Sequence, residues 1–187
     1  MVSTETPICK FGWKAEDFSL KGIDGNIYNL KSVCGINGTI VMFICNHCPY
    51  VKAILERLVR DIRDLQKIGI GVIAIMSNDP SDYPEDSFNN MKLVSEQNGF
   101  TFPYVIDPTQ QVARAYDAVC TPDFFGFDKN LELRYRGRFD SSKKQTGPRN
   151  TRRELYEAMI EIAKTGRGPS HQIPSIGCSI KWIGETS

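Results

Sequence analysis

The sequence predicts an α/β fold: a mixed central β-sheet with helices on both faces, opened by an N-terminal β-hairpin and followed by an irregular C-terminal extension. Three observations carry this. Gly38 to Asn46 (GTIVMFICN) is a nearly unbroken apolar, β-branched run, the pattern of a strand buried on both faces. Residues 49–67 repeat apolar side chains at intervals of three and four, and a second buried run, 70–76 (IGVIAIM), follows Gly69. Strand, helix and strand in that order form a right-handed βαβ unit with parallel strands.

From the N-terminus, 16–20 (EDFSL) and 26–30 (NIYNL) alternate around Asp24-Gly25, a pair suited to a tight hairpin turn. Within 49–67, Val51, Ile54, Leu55, Leu58, Ile62 and Leu65 share one face with charges between them, as in an amphipathic helix. Pro84 and the acids after it suit a helix start, so 84–98 reads as a weaker helix. A short strand at 103–106 and a short helix at 109–116 follow. Strands near 123–128 and 131–136 turn through Asp128, Lys129 and Asn130 as an antiparallel hairpin, with Phe124, Phe125 and Phe127 as strand core. A helix over about 151–164 closes the pattern. The tail 166–187, with Pro169, Pro174 and several glycines, is irregular. It carries Ile173, Ile176, Ile180 and Trp182, so it is expected to pack onto the rest.

A length of 187 residues suits one domain (1–187) with one sizeable core over about 14–165. Hydrophobic residues make up 41% and charged residues 24%, an ordinary globular composition. A formal net charge of +1 gives no global field for nucleic acid or a membrane surface. The opening residues lack the apolar core of a secretory signal, and no apolar stretch is long enough to span a bilayer. A soluble, cytoplasmic protein is the expectation, with no nucleic-acid or membrane partner. Six cysteines, at 9, 34, 45, 48, 120 and 178, are too sparse for a disulfide scaffold. They read as core thiols plus one reactive pair.

That pair is Cys45 and Cys48 in Cys45-Asn46-His47-Cys48-Pro49, where the buried strand ends and the amphipathic helix begins. A helix N-terminus has unpaired N–H groups and a partial positive charge that stabilise a thiolate. On this reading Cys45 is the exposed nucleophile and Cys48 the buried resolving thiol. An imidazole at His47 is placed to stabilise the Cys45 thiolate, which makes the disulfide a stronger oxidant. A lone Cys-x-x-Cys also fits half a zinc site, but zinc needs four ligands and no second pair accompanies this one. No cofactor or metal is expected.

Thr121-Pro122 stands directly before the strand at 123–128. A trans turn proline is the plain reading; a cis bond would set the Thr121 backbone beside the active helix end, open to an extended substrate. Cys120 and Cys178 read either as small buried hydrophobes or as additional redox partners of Cys45. Cys9 and Cys34 are assigned to packing or chance, and His171 to the surface. Arg134, Arg136, Arg138, Lys143, Lys144, Arg149, Arg152 and Arg153, with Tyr135 and Phe139 among them, concentrate basic charge. The alternation of 134, 136 and 138 suits a solvated strand face better than a nucleic-acid site.

These residues resemble the thioredoxin-like redoxins grouped with alkyl hydroperoxide reductase and thiol-specific antioxidant proteins, closest to bacterial members with Cys-Asn-His-Cys-Pro. The resemblance covers nearly the whole chain: Ala15 to Leu20 with Asp24-Gly25, Phe43 to Tyr50, Cys120-Thr121-Pro122-Asp123, and Ile176 to Trp182. It implies a thioredoxin fold, a Cys45–Cys48 redox disulfide and a cis Thr121–Pro122 bond. It makes Cys45, Cys48 and His47 catalytic, and Asn46, Pro49, Thr121 and Pro122 substrate-binding. With His47 in the place it holds in oxidising exchange proteins, a potential above thioredoxin's about −270 mV is expected. One feature departs from true peroxiredoxins, which carry a Thr three residues before the peroxidatic Cys in a Pro-rich stretch. Here Cys45 stands three before Cys48, and no Pro precedes it in that strand.

The first expectation is therefore a thiol-disulfide oxidoreductase whose partners are a disulfide or dithiol substrate and a thiol electron donor. A thiol peroxidase is the second, and a zinc-binding or interaction module the third. The sequence leaves substrate, direction and oligomeric state open.

Overall fold

The computed structural model of the chain describes residues 3–7, 11–81, 83–145, 147–148 and 150–184. Cys9 and Arg149 lie outside the described residues. The elements are β1 (Ser3–Glu5), β2 (Leu20–Gly22), β3 (Ile27–Tyr28), α1 (Leu30–Val33), β4 (Gly38–Phe43), α2 (Pro49–Lys67), β5 (Ile70–Met76), α3 (Phe88–Asn98), β6 (Tyr104–Ile106), α4 (Gln111–Ala115), β7 (Cys120–Thr121), β8 (Asp123–Phe127), β9 (Leu133–Arg136), α5 (Glu154–Thr165) and β10 (Ile176–Ser179). A 3-10 turn at Pro84–Asp86 precedes α3.

Seven strands form the central sheet in the order β3-β2-β6-β5-β4-β8-β9. β4 pairs in parallel with β5, and β5 with β6, while β8, β9, β2 and β3 add antiparallel edges. Alternation along β4 divides the core. Ile40 and Met42 meet α2 and α5 on one face, and Val41 and Phe43 join Val33, Ala113 and Tyr116 on the other. Every residue of β4 is buried, as its unbroken apolar run predicts. Replacing Ile62, fully buried on α2, with Ala should cost about 3 kcal/mol, measured as a shift in the urea midpoint at constant slope.

α2 spans the predicted residues because Pro49 fits its first turn and Gly69, at φ +80°, takes the chain out of it. The opening hairpin is shorter than predicted. Asp17 Oδ1 accepts from Phe18 N and Leu30 N, and Asn29 caps α1 through Ser32 N, so side chains satisfy backbone groups that a longer ladder would use. The weaker helix divides at Ser87, whose extended backbone separates the 3-10 turn from α3.

Two expectations change. Arg134, Arg136 and Arg138 do not form a solvated face: they pair with Asp128, Asp123 and Glu154, and Arg136 is buried. The alternation is there, but opposing carboxylates neutralise it, and Tyr135 and Phe139 are core residues. The tail is not irregular throughout: it runs without helix or strand up to Ser175 and again over 180–184. Between these, β10 pairs antiparallel with β1 and β7 in a second, three-stranded sheet, and Ile180 is buried as its apolar character predicts.

Candidate active site

β4 ends at Phe43 and α2 begins at Pro49, so the segment between them holds Cys45 to Cys48 over the parallel strand ends. β7 and β8 meet at a cis Thr121–Pro122 bond, and β10 lies against β7 with Cys178 opposite Thr121. The site thus combines three distant stretches of chain. Cys45 Sγ lies 3.1 Å from Thr121 Oγ1. Cys48 Sγ lies 3.1 Å from the Thr121 carbonyl oxygen and 3.0 Å from Cys178 Sγ. Cys120 is buried but donates to the Pro122 carbonyl oxygen, at 3.6 Å, and takes no part in that contact.

Both pair cysteines are buried, Cys45 at 1% exposure, which corrects the expectation of an exposed nucleophile. Beside them the His47 ring stacks on Tyr83 at 4.2 Å between centroids, and Asp86 holds the Asn46–His47 backbone through its amides. Asp86 is the acid that the sequence did not single out. Its Oδ1 accepts from Asn46 N (2.7 Å) and His47 N (3.1 Å), and its Oδ2 lies 2.6 Å from His47 Nδ1 and accepts from Asn78 Nδ2 at 2.8 Å. Burial alone would raise the Asp86 pKa, but the hydrogen bonds from His47 and Asn78 overcome it and hold the carboxyl below its ordinary value.

Asp86 also changes the electrostatics expected of His47. The imidazole is 3.7 Å from Cys45 Sγ, but it shares its Nδ1 with a carboxylate, so no uncompensated cation faces that sulfur. Burial, then the hydrogen bond to Cys48, then the Asp86 charge push the Cys45 thiol well above its ordinary pKa. Cys48 moves the other way. Hydrogen bonds from Cys178 and Cys45, and from the Val51 N–H of the first helical turn, pull it down against its own burial. The helix end acts on Cys48 because Cys48 is itself the N-cap of α2, whereas Cys45 precedes that N-cap by three residues. The two thiols are thus shifted in opposite directions, with Cys48 the one on which these surroundings favour negative charge.

Asn46 is spent on structure: its amide donates to the Glu85 carbonyl oxygen and accepts from Tyr104 OH. Pro49 is half-buried at the helix start. Pro122 lines a cleft of about 190 Å³ with Tyr50, Ile54, Phe139, Ile173 and Ile176. Cys45, His47 and Asp86 hold potential metal-ligand atoms within 4.8 Å of one another. Three ligands fall short of the four that zinc takes in structural sites.

A family model described as the AhpC/TSA family matches residues 11–136, more than half the chain, and covers the Cys45–Cys48 segment and the Thr121–Pro122 turn. The chain belongs to the AhpC/TSA family. Its similarity to a conserved protein of Geobacillus kaustophilus of known structure is 45% identity over 100% of this chain and 99% of that one, with a TM-score of 0.93. A thiol:disulfide interchange protein of the thioredoxin family from Chlorobium tepidum covers 83% of this chain and 99% of its own at 18% identity, TM-score 0.61, so the fold is that of thioredoxin. The thiol-disulfide oxidoreductase ResA of Geobacillus thermodenitrificans is 28% identical over 131 residues, 70% of this chain and 71% of its own. Within this family member, Cys178 and β10 lie beyond the matched residues, in the extension.

Proposed function

We propose that the protein is a thiol-disulfide oxidoreductase that exchanges a Cys45–Cys48 disulfide with protein or small-molecule thiols. The observation that carries the reading is the placement of Cys45 and Cys48 at the start of α2, with Thr121 touching both sulfurs. The name of the ResA relative supports the same class of chemistry.

The Cys48 thiolate takes the proton of the Cys45 thiol as Cys45 attacks a substrate disulfide. One substrate sulfur bonds to Cys45 and the other leaves as a thiolate. Cys48, deprotonated again, attacks Cys45 Sγ and expels the second substrate thiolate, leaving the Cys45–Cys48 disulfide. The oxidising direction is the reverse. The cleft that Pro122 lines is the surface along which a substrate chain would lie. A thiol electron donor completes the cycle.

Steady reduction of a protein disulfide at the expense of a dithiol, lost when either pair cysteine is replaced, is the expected result. Hydroperoxide consumption that outpaces it would move the protein to the peroxidases. Zinc bound at one per chain with no reactive thiol would remove the redox reading altogether.

A further inference from the structure

We propose that Cys178 is a third redox cysteine of this centre, whose sulfur displaces Cys45 from the Cys45–Cys48 disulfide to give a Cys48–Cys178 disulfide. The inference rests on the exchange reading above and adds a second partner for Cys48.

The geometry is built rather than incidental. Cys178 Sγ is 3.0 Å from Cys48 Sγ, and Cys178 is 2% exposed. β10 pairs with β7 in a register that sets Cys178 opposite Thr121, the residue whose carbonyl oxygen meets Cys48 and whose hydroxyl meets Cys45. Gly177 lets the two strands close this far. A Cβ there would stand 2.1 Å from the Thr121 carbonyl oxygen, so a side chain at 177 would hold β10 away from the site. Cys178 is further anchored by β1, where it pairs with Ser3. Because the exchange is intramolecular, burial is no obstacle to it.

The step conserves electrons. The Cys178 thiol gives up its proton as its sulfur bonds to Cys48 Sγ; the Cys45–Cys48 bond breaks, and the electron pair and a proton go to Cys45. No external oxidant or reductant enters. The consequence is directional: Cys45 returns to a thiol, so a departing substrate thiol no longer finds a disulfide at the residue it left. The electron donor then acts on Cys48–Cys178.

The test is oxidation of the full-length chain with oxidised glutathione, acid trapping, and mass-spectrometric mapping of linkages in wild type, Cys45→Ser and Cys178→Ser. The relay predicts both linkages in wild type. It predicts Cys48–Cys178 as the main product in Cys45→Ser, exceeding Cys48–glutathione at least fivefold, and only Cys45–Cys48 in Cys178→Ser. A Cys45→Ser protein that accumulates stable Cys48–glutathione, with Cys45–Cys48 still formed in Cys178→Ser, overturns the relay and leaves the exchange reading intact. Absence of Cys45–Cys48 from Cys178→Ser overturns the exchange reading and the relay with it. The wild-type map needs no variant to fold: no Cys48–Cys178 peptide at any glutathione ratio contradicts the proposal.

Discussion

Replacing Cys45 with Ser should lower disulfide exchange by about a thousandfold or more, the scale on which loss of an attacking nucleophile is felt. The companion change, Cys48→Ser, should do two things at once. It removes the group that resolves a mixed disulfide, so substrate remains covalently held on Cys45. It also removes the thiolate that accepts the Cys45 proton, so that mixed disulfide forms slowly near neutral pH. The sign of the pH dependence follows from burial and the Asp86 charge, which hold Cys45 above its ordinary pKa. With no internal base, trapping by Cys48→Ser should speed up as pH rises toward that pKa, whereas the wild-type attack should depend less on pH. Stopped-time alkylation and mass measurement across pH read both effects. Substrate held on Cys48 in a Cys45→Ser protein, and none held on Cys45 in Cys48→Ser, would reverse the assigned roles.

Asp86→Asn has the second largest expected effect. Asn keeps one acceptor for the Asn46 and His47 amides, while the carboxylate charge beside Cys45 disappears. That charge disfavours negative charge beside Cys45, so its loss eases negative charge on the Cys45–Cys48 pair and stabilises the reduced form. The disulfide becomes the stronger oxidant. A rise on the order of 30 mV is expected, equivalent to a tenfold change in the exchange equilibrium. The same change should destabilise the fold by about 1–3 kcal/mol, because a buried acceptor to His47 and Asn78 is lost. A glutathione titration and a urea melt on the same preparation separate the two quantities. An unchanged or lowered potential would mean that Asp86 does not act on Cys45 by charge. A raised potential would mean that wild-type Asp86 opposes the oxidising effect assigned to His47 from the sequence.

The strand–helix–strand centre was legible because β4, α2 and β5 carry strong periodic or unbroken apolar patterns, and patterns of that kind admit few alternatives. The two-residue β7 and the three-residue β1 carry no period at all. β10 pairs with residues over fifty positions away, so nothing local announces it. The arginines of β9 show why alternation alone misleads: charges at 134, 136 and 138 look the same whether water or Asp128, Asp123 and Glu154 faces them. Asp86 sits in a stretch with Asp79, Asp82 and Glu85, where an acid reads as helix N-terminal decoration. Only the fold, which turns the loop before α3 back over Asn46 and His47, singles it out. That Cys45 and Cys48 would lie together where β4 gives way to α2 was readable from spacing and position; the contact of Cys48 with Cys178 was not, since Cys178 arrives from the tail.

The most direct measurement is titration of the full-length wild-type chain in glutathione buffers, with thiols trapped and counted at each ratio. One reversible two-electron transition is expected, in which Cys48 loses its thiol together with Cys45 or Cys178, without a bound metal or added peroxide. Thiols at Cys45 and Cys48 that stay reduced across the whole range would contradict it.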